Sequence, residues 1–298
     1  VIAFGVDDSS TETVVRYDRP LDLALACAPV AWAGGRWPNE AWLGGRFVWV
    51  GREAGAVVRR EVRQHGSAIV VVGGNAIADE SWLRRLLAPA ALPAYFADPV
   101  VAAIATRLDG FATLCYGSLF DGAVVSVVGQ SISVAAAAVT TTRLAAMFHP
   151  GIRHGDRTLF PLPTRNDLAN ASAGSVRESG VTGKRAETLV RLGKAFADGD
   201  LPDWPVGDRQ IAAAAETLLA MPGIGPWTVA SALLWGTGHP DAFPVGDAAL
   251  LRAARRAYGE ADMDHRQLMQ RAEAWRPARA TAARLLWLDL FGPAPTAG

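Results

Sequence analysis

Cysteine and lysine are the scarcest reactive residues of this chain. The only cysteines, Cys27 and Cys115, are too few and too far apart for a four-cysteine zinc site, an iron–sulfur cluster or a disulfide scaffold. A reducing cytoplasm is the expected compartment. Only Lys184 and Lys194 are lysines, so almost all positive charge is arginine. The five histidines, at 65, 149, 154, 239 and 265, contain no i, i+4 pair that a helix could present to a metal. No basic-then-apolar leader is visible, and Val1 in place of an initiator methionine leaves the true start open. The most apolar helix-like run, Ala123 to Val139, is interrupted by Gly129-Gln130-Ser131 and by Ser133, which suits a buried core helix better than a membrane span.

Net charge is lacking as well. The 29 basic residues equal the 29 acidic ones, which on its face argues against a nucleic-acid partner. The arginine bias softens that argument, because a guanidinium makes bidentate phosphate contacts. A genomic preference for Arg and Ala explains the same composition.

What is present points to a folded α+β protein. Half of the residues are hydrophobic and 19% are charged, the balance of a compact chain, and 298 residues suffice for two or three domains. To about Gly74 the texture is β: "TVVRY", "RFVWVG", "AVVRREV" and "SAIVVVGG" are Val-, Ile- and aromatic-rich runs between turn residues, as in an antiparallel sheet, with a helix expected around Pro20 to Ala28. "GGN" at 73–75 lacks the Lys and Ser/Thr of a phosphate loop and reads as an ordinary turn. After Glu80 the spacing turns helical, with candidates at 81–88, 98–108, 121–147, 166–178, 183–198, 208–221, 226–236, 247–258, 265–275 and 277–290. The division expected is a β-rich domain over 1–108 and a two-lobed helical body over 109–298, with a cleft between its lobes.

The stretch "MPGIGPWTVASALLWGTGHPDAFPVGD", 221–247, carries the chemistry. Pro222 opens a turn, Gly223 and Gly225 permit positive φ or close approach of another backbone, and Pro226 fits the first turn of a new helix. A helix–hairpin–helix of this kind gathers backbone N–H groups at a helix N-terminus, an anion site open to a phosphate, with Ile224 anchoring the hairpin. An αα-corner with packing glycines reads equally well from Gly-x-Gly alone. Asp247, held on Pro244-Val245-Gly246 before another amphipathic run, is either an N-cap or an aimed carboxylate.

The hairpin followed by Phe243-Pro244 and Asp247 resembles the helix–hairpin–helix/Gly-Pro-Asp superfamily of DNA glycosylases. The likeness to its 3-methyladenine DNA glycosylase II (AlkA) type extends to "VVGQSISVAAAA" at 127–138, "FPLPTRNDLANAS" and "GVTGKRAETLVRLGKAFADGDL" within 160–201, and "AEAWRPARATAARLLW" at 272–287. Together these span about 109–291, and the β-rich first third suits the N-terminal sheet domain of that type.

The resemblance implies a monofunctional glycosylase that flips alkylated purines (3-methyladenine, 7-methylguanine) out of double-stranded DNA. Trp227 stands where base-excising lyases carry a Schiff-base lysine, so no amine nucleophile is available there. Asp247 takes the catalytic role, stabilising a cationic sugar and orienting water. Trp227 and Trp287 would offer indole faces to a cationic base. Gly223, Gly225 and the Thr228 hydroxyl would bind a phosphate, and the carbonyls of Leu219, Met221 and Ile224 would hold a monovalent cation, with no other cofactor required. Two departures stand out. Ser131 replaces a bulky apolar residue that fills the gap left by the flipped base, and Ser231 replaces a pocket tyrosine, so a roomier pocket is expected, with Gln130 as an alternative wedge. A monomer that avoids membranes is expected, its binding to undamaged DNA modest and steeply salt-dependent. Other readings are a non-catalytic hairpin DNA-binding protein, with Asp247 a mere cap, a glycosylase for another lesion, or a bifunctional glycosylase/lyase, which Trp227 and the cysteine count disfavour.

Overall fold

Glycine turns between alternating apolar runs build the first unit of the structure, a computed structural model that describes residues 11–89 and 96–295. Strands β1 (Thr11–Arg16), β2 (Glu40–Leu43), β3 (Arg46–Glu53), β4 (Ala56–His65) and β5 (Ala68–Gly73) form an antiparallel sheet in the order β1-β5-β4-β3-β2. Glu53 pairs with Ala56 across Ala54 (φ +48°) and Gly55 (φ +84°), the two left-handed residues that a two-residue hairpin requires. Strand alternation sends Phe47, Val62, Ile69 and Val71 to one face, against Leu23 of α1 (Leu23–Ala26), Val30 of α2 (Ala28–Trp32) and Trp82 and Leu83 of α3 (Ala76–Leu86). Val48 and Val50 face the other way. The "GGN" stretch is the expected turn: it ends β5, and the Asn75 side chain caps α3 by accepting from the Ala78 N–H at 3.0 Å.

The chain then passes through β6 (Leu87–Pro89), α4 (Pro99–Arg107) and β7 (Ala112–Leu114), which pairs with β6. Packing runs across the expected division at 108/109. Phe96, Val101 and Ile104 join the helical core, whereas Ala112 and Leu114 join the core under the sheet. At the C-terminus, the Trp32 indole donates to the Gly292 carbonyl at 2.9 Å and the Ala294 N–H to the Ala24 carbonyl at 3.1 Å, tying the two units together.

The run expected as one helix over 121–147 is two, α5 (Leu119–Gly129) and α6 (Val134–Ala146), bent by 118°. Ser133 is the reason: its side chain accepts from the Ala136 N–H at 3.2 Å and starts a new helix. Among the described residues no single helix is long and apolar enough to cross a membrane. A hairpin, β8 (Ile152–His154) and β9 (Arg157–Leu159), packs Ile152 and Leu159 on the Val48/Val50 face of the sheet. The segment expected as a helix at 166–178 divides into α7 (Arg165–Asn170) and α8 (Ala173–Arg177), the second capped by Ser172.

The remaining helices are α9 (Gly183–Ala197), α10 (Gly207–Leu219), α11 (Pro226–Thr237), α12 (Ala248–Tyr258), α13 (His265–Ala272) and α14 (Arg279–Phe291). Helices α5 and α11 pack closely at two glycines. A Cβ on Gly122 would lie 2.5 Å from the Gly236 Cα, and one on Gly236 would lie 2.7 Å from the Ser118 carbonyl oxygen. Leu119, Phe120, Val124, Val127 and Val128 of α5 are buried in the same core as Ala232, Leu233 and Leu234 of α11. Each Val, Leu or Phe side chain among these contributes about 1.5–3 kcal/mol of transfer free energy. This crossing sets the end of α5 beside the start of α11.

Candidate active site and phosphate-binding hairpin

The hairpin between α10 and α11 requires glycine at one position for conformation and leaves the other open. Gly223 has φ +93°, and a Cβ there would stand 2.2 Å from the Thr188 hydroxyl oxygen on α9. Gly225 is extended (φ −108°, ψ 177°), and a Cβ there would meet nothing within 4 Å. Its missing side chain keeps the approach to the amides clear. Ile224 is buried, 6% exposed, in the main core, as expected of an anchor. Among the described residues the N–H groups of Gly223, Gly225, Trp227 and Thr228 donate to no acceptor. They form a cluster of unsatisfied donors at the positive end of α11. Arg191 adds positive charge by donating to the Pro222 carbonyl at 3.3 Å.

Thr228 is 3% exposed, and its hydroxyl accepts from Gln130 Nε2 at 2.9 Å, which fixes it beside the hairpin, while its backbone N–H joins the unsatisfied amides. Gln130, expected as an alternative wedge, has its side chain engaged at the hairpin. It donates to the Gly223 carbonyl at 2.8 Å, and its own carbonyl accepts from Arg185 Nη2. These contacts fasten the α5–α6 turn to the hairpin. Ser131, at φ +53°, reverses the chain there, and Ile132 and Val134 follow at 38% and 43% exposure. The sequence reading missed Ile132; the signal was Ser133, an N-cap residue in front of an alanine run, which marks a turn just before it.

Asp247 is the N-cap of α12, and it is more than a cap. Its Oδ1 accepts from the Leu250 N–H at 2.7 Å, while its Oδ2 accepts from Trp227 Nε1 at 3.0 Å. Gly246, at φ +85°, and a bond from the Asp247 N–H to the Pro244 carbonyl at 3.1 Å shape the turn that delivers it. The carboxylate is half-buried, fixed through both oxygens, and tied to the first turn of the helix that carries the unsatisfied amides. The Trp227 indole N–H is consumed by this bond, so its ring faces are what remain for a ligand.

The other aromatic expected at the site is packed against a second indole. Trp287 is 5% exposed and stacks on Trp235 with centroids 5.7 Å apart and planes 20° apart. Trp235 in turn covers the Arg284 guanidinium at 4.2 Å. Arg284 is buried and donates to the carbonyls of Leu114 and Leu234, and burial lowers its pKa to about 10. No hydrogen bond or ring contact joins Trp287 to Trp227 or Asp247 among the described residues. The Trp287 N–H is buried without an acceptor. Ser231, one turn along α11 from Trp227, is also buried, 2% exposed. Hydrogen bonds therefore join Asp247 to Trp227 and Gln130 to the hairpin, while Trp287 and Ser231 are buried and make no such bond to them among the described residues.

The carbonyls of Leu219 and Ile224 accept no hydrogen bond among the described residues, and that of Met221 accepts one, from the Ile224 N–H at 3.1 Å. Among the described residues no group of three His, Cys, Asp or Glu side chains could hold a metal.

Comparison with known proteins places this geometry in a lineage. The family model described as "HhH-GPD superfamily base excision DNA repair protein" matches residues 124–277. A Mycobacterium tuberculosis protein named "Probable bifunctional transcriptional activator/DNA repair enzyme AlkA" is 32% identical over 204 residues, 66% of this chain and 38% of that protein. The Escherichia coli "DNA-3-methyladenine glycosylase 2" is 36% identical over 171 residues, 56% of each chain. The matched region thus spans between about two fifths and just over half of these relatives' lengths. Among solved structures, the 3-methyladenine DNA glycosylase from Archaeoglobus fulgidus superposes with a TM-score of 0.74 at 20% identity, over 93% of this chain and 98% of that one, which establishes the shared α+β fold.

Proposed function

The chain belongs to the HhH-GPD superfamily of base excision DNA repair proteins, and from that premise we propose that it is a monofunctional DNA glycosylase that releases alkylated purines from double-stranded DNA. The observation that carries the proposal is the Asp247 carboxylate, held by Trp227 Nε1 and the Leu250 N–H beside a hairpin whose amides are unsatisfied.

The hairpin N–H groups bind a phosphate of the lesion strand and set the register of the duplex. The target nucleotide leaves the stack, which costs a few kcal/mol and less where damage has weakened pairing. Ile132 fills the vacated space, as apolar side chains do between base steps. It is exposed, and Gln130 fixes its turn to the hairpin. A Trp227 face then meets the extruded base, and an indole favours a cationic purine over a neutral one by roughly 0.5–2 kcal/mol.

The N-glycosidic bond breaks with its electron pair going to the base, which leaves as a neutral methylpurine without needing a proton from a general acid. The sugar C1′ becomes cationic. Asp247 stabilises that charge by about 3–4 kcal/mol, the scale of one preorganised group in a dry site. It accepts the proton of the water that adds to C1′. An abasic site in an intact strand remains. The side chain at the second position after the last hairpin glycine is Trp227, which cannot form a Schiff base, and this supports hydrolysis without strand cleavage.

A monovalent cation suits the Leu219, Met221 and Ile224 carbonyls, which are neutral, hard oxygen ligands with lone pairs to spare. Bound there, it would add positive charge next to the phosphate. The chemistry requires no other cofactor.

Base release from methylated duplex DNA tests the reading, with wild type compared to Asp247→Asn and nicking scored before alkali. Methylpurine release by wild type alone, with intact strands, supports it. Nicking before alkali would sink the monofunctional assignment, and DNA binding without release of any methylpurine would sink the glycosylase one.

A further inference from the structure

A groove of about 370 Å3 lies away from Asp247, between the loop after α2, the C-terminal part of α6 and the β8–β9 hairpin. Three arginines line it, one from each segment: Arg36, Arg143 and Arg157. None forms an ion pair among the described residues, and neither does Asp156, the acidic residue next to Arg157 in sequence. In a chain with equal numbers of basic and acidic residues, three unpaired guanidiniums around one groove are a local excess of positive charge.

The walls are fastened. The Thr142 hydroxyl donates to the Arg36 carbonyl at 2.9 Å, and the Phe160 N–H to the Pro38 carbonyl at 2.7 Å. Gly35 (φ +67°) admits the Arg157 guanidinium, whose Nη2 would be 2.6 Å from a Cβ at that position.

The groove is also continuous with the lesion-facing turn. On α6 and its C-cap the residues Ala136, Thr140, Arg143 and Met147 follow helical spacing and are exposed or half-buried, so one solvent face runs from the Ile132 turn to the groove. At 1.5 Å rise per residue Arg143 lies about 15 Å beyond Ser133, the span of roughly four to five base pairs.

We propose that Arg36, Arg143 and Arg157 form a second anion site that grips the phosphodiester backbone of the duplex flanking the lesion. This gives the N-terminal unit, through its Arg36 loop, a part in DNA binding. The assignment rests on the duplex being engaged at the hairpin as described above.

The test uses the full chain and duplexes with a stable abasic-site analogue at the centre. Affinity and its salt dependence are measured for wild type and for Arg143→Ala/Arg157→Ala. With long flanks the variant binds about tenfold more weakly, and the slope of log K against log salt is shallower by about one to two. Cutting one flank to about three base pairs, roughly 10 Å, brings wild type to the level of the variant, and cutting the other does not. Equal affinity and slope for both proteins on the long duplex would overturn the proposal. So would a rise in wild-type melting temperature with inorganic phosphate, lost in the variant, beside identical DNA slopes; that result would assign the groove to a free phosphate compound. If the double variant does not fold, Arg36→Ala and Arg143→Glu, each at an exposed guanidinium, carry the same measurements. Methylpurine release by the same wild-type preparation is scored separately, so failure of the glycosylase reading is distinguishable from failure of this one.

Discussion

Replacing Asp247 by Asn separates two roles that its position superimposes. As the N-cap of α12 its Oδ1 accepts from the Leu250 N–H, and as the proposed catalytic group its Oδ2 faces Trp227 Nε1. Asn caps a helix about as well as Asp does, so the bond to Leu250 survives. Only one amide oxygen remains, however, and the NH2 group then faces the indole N–H, donor against donor. The loss is that of one hydrogen bond at a half-buried site, about 1 kcal/mol. Asp247→Ala loses the cap as well and falls by about 1–2 kcal/mol. For a chain of this size each kcal/mol corresponds to a melting shift of roughly 2–4 °C. Against a total stability of about 5–15 kcal/mol, neither change populates the unfolded state enough to affect a rate at 25 °C. The chemical effect is far larger. Losing about 3–4 kcal/mol of transition-state stabilisation lowers the rate by about 10²–10³-fold. Single-turnover release of 7-methylguanine from duplex DNA, read beside thermal melts, gives both quantities. An Asp247→Asn protein that works within about threefold of wild type would refute the argument and reduce Asp247 to a cap.

The two hairpin glycines respond differently. Gly223→Ala meets both the positive φ and the Thr188 hydroxyl, so its melting temperature falls with a loss of more than about 1 kcal/mol. Gly225→Ala, at an extended residue with open space around its Cβ, folds normally yet binds duplex DNA more weakly because the methyl group stands over the amides; calorimetry and a binding titration on the two variants check this. Ile132→Ala slows excision of fully paired lesions roughly tenfold, with a smaller loss for the same lesion in a mismatch, and equal losses in the two contexts would remove Ile132 from the wedge role. Glu40 is 6% exposed, and burial raises its pKa to about 8. Its proton is held more tightly in the folded chain, so the stability it contributes is complete below its ordinary value near 4.5 and is lost as pH rises towards 8. Glu40→Gln flattens this dependence and raises stability at pH 7 by up to about 3 kcal/mol, which denaturant titrations at pH 5 and pH 8 would reveal.

The parts of the site that were legible in the sequence are those set by local backbone chemistry. Pro222, Gly223 and Pro226 specify a turn between two helices whatever surrounds them, and Asp247 behind Gly246 specifies a capped start. The five-stranded sheet was legible for the same reason, through glycine turns between alternating runs. Features settled by partners distant in sequence were not. The orientation of the Thr228 hydroxyl depends on Gln130, 98 residues earlier, a partner that local sequence does not report. The packing of Trp287 depends on Trp235 and, through it, on Arg284, whose charge is buried among backbone carbonyls; nothing in "RLLWLDL" reports that stack. The bend between α5 and α6 was hidden because apolar residues continue in helical register on both sides of it, and periodicity cannot report a break that preserves phase. Only the hydroxyl of Ser133 marks it, and the break has a functional consequence. A continuous helix over 121–147 would bury Ile132 or leave it on a smooth flank, whereas the turn at Ser131 places it at a vertex, with Gln130 fixing the vertex to the α10–α11 hairpin. The same break starts α6 in the direction that carries Arg143 to the arginine groove, so one capping serine positions the proposed wedge and orients the helix that carries part of the proposed second anion site.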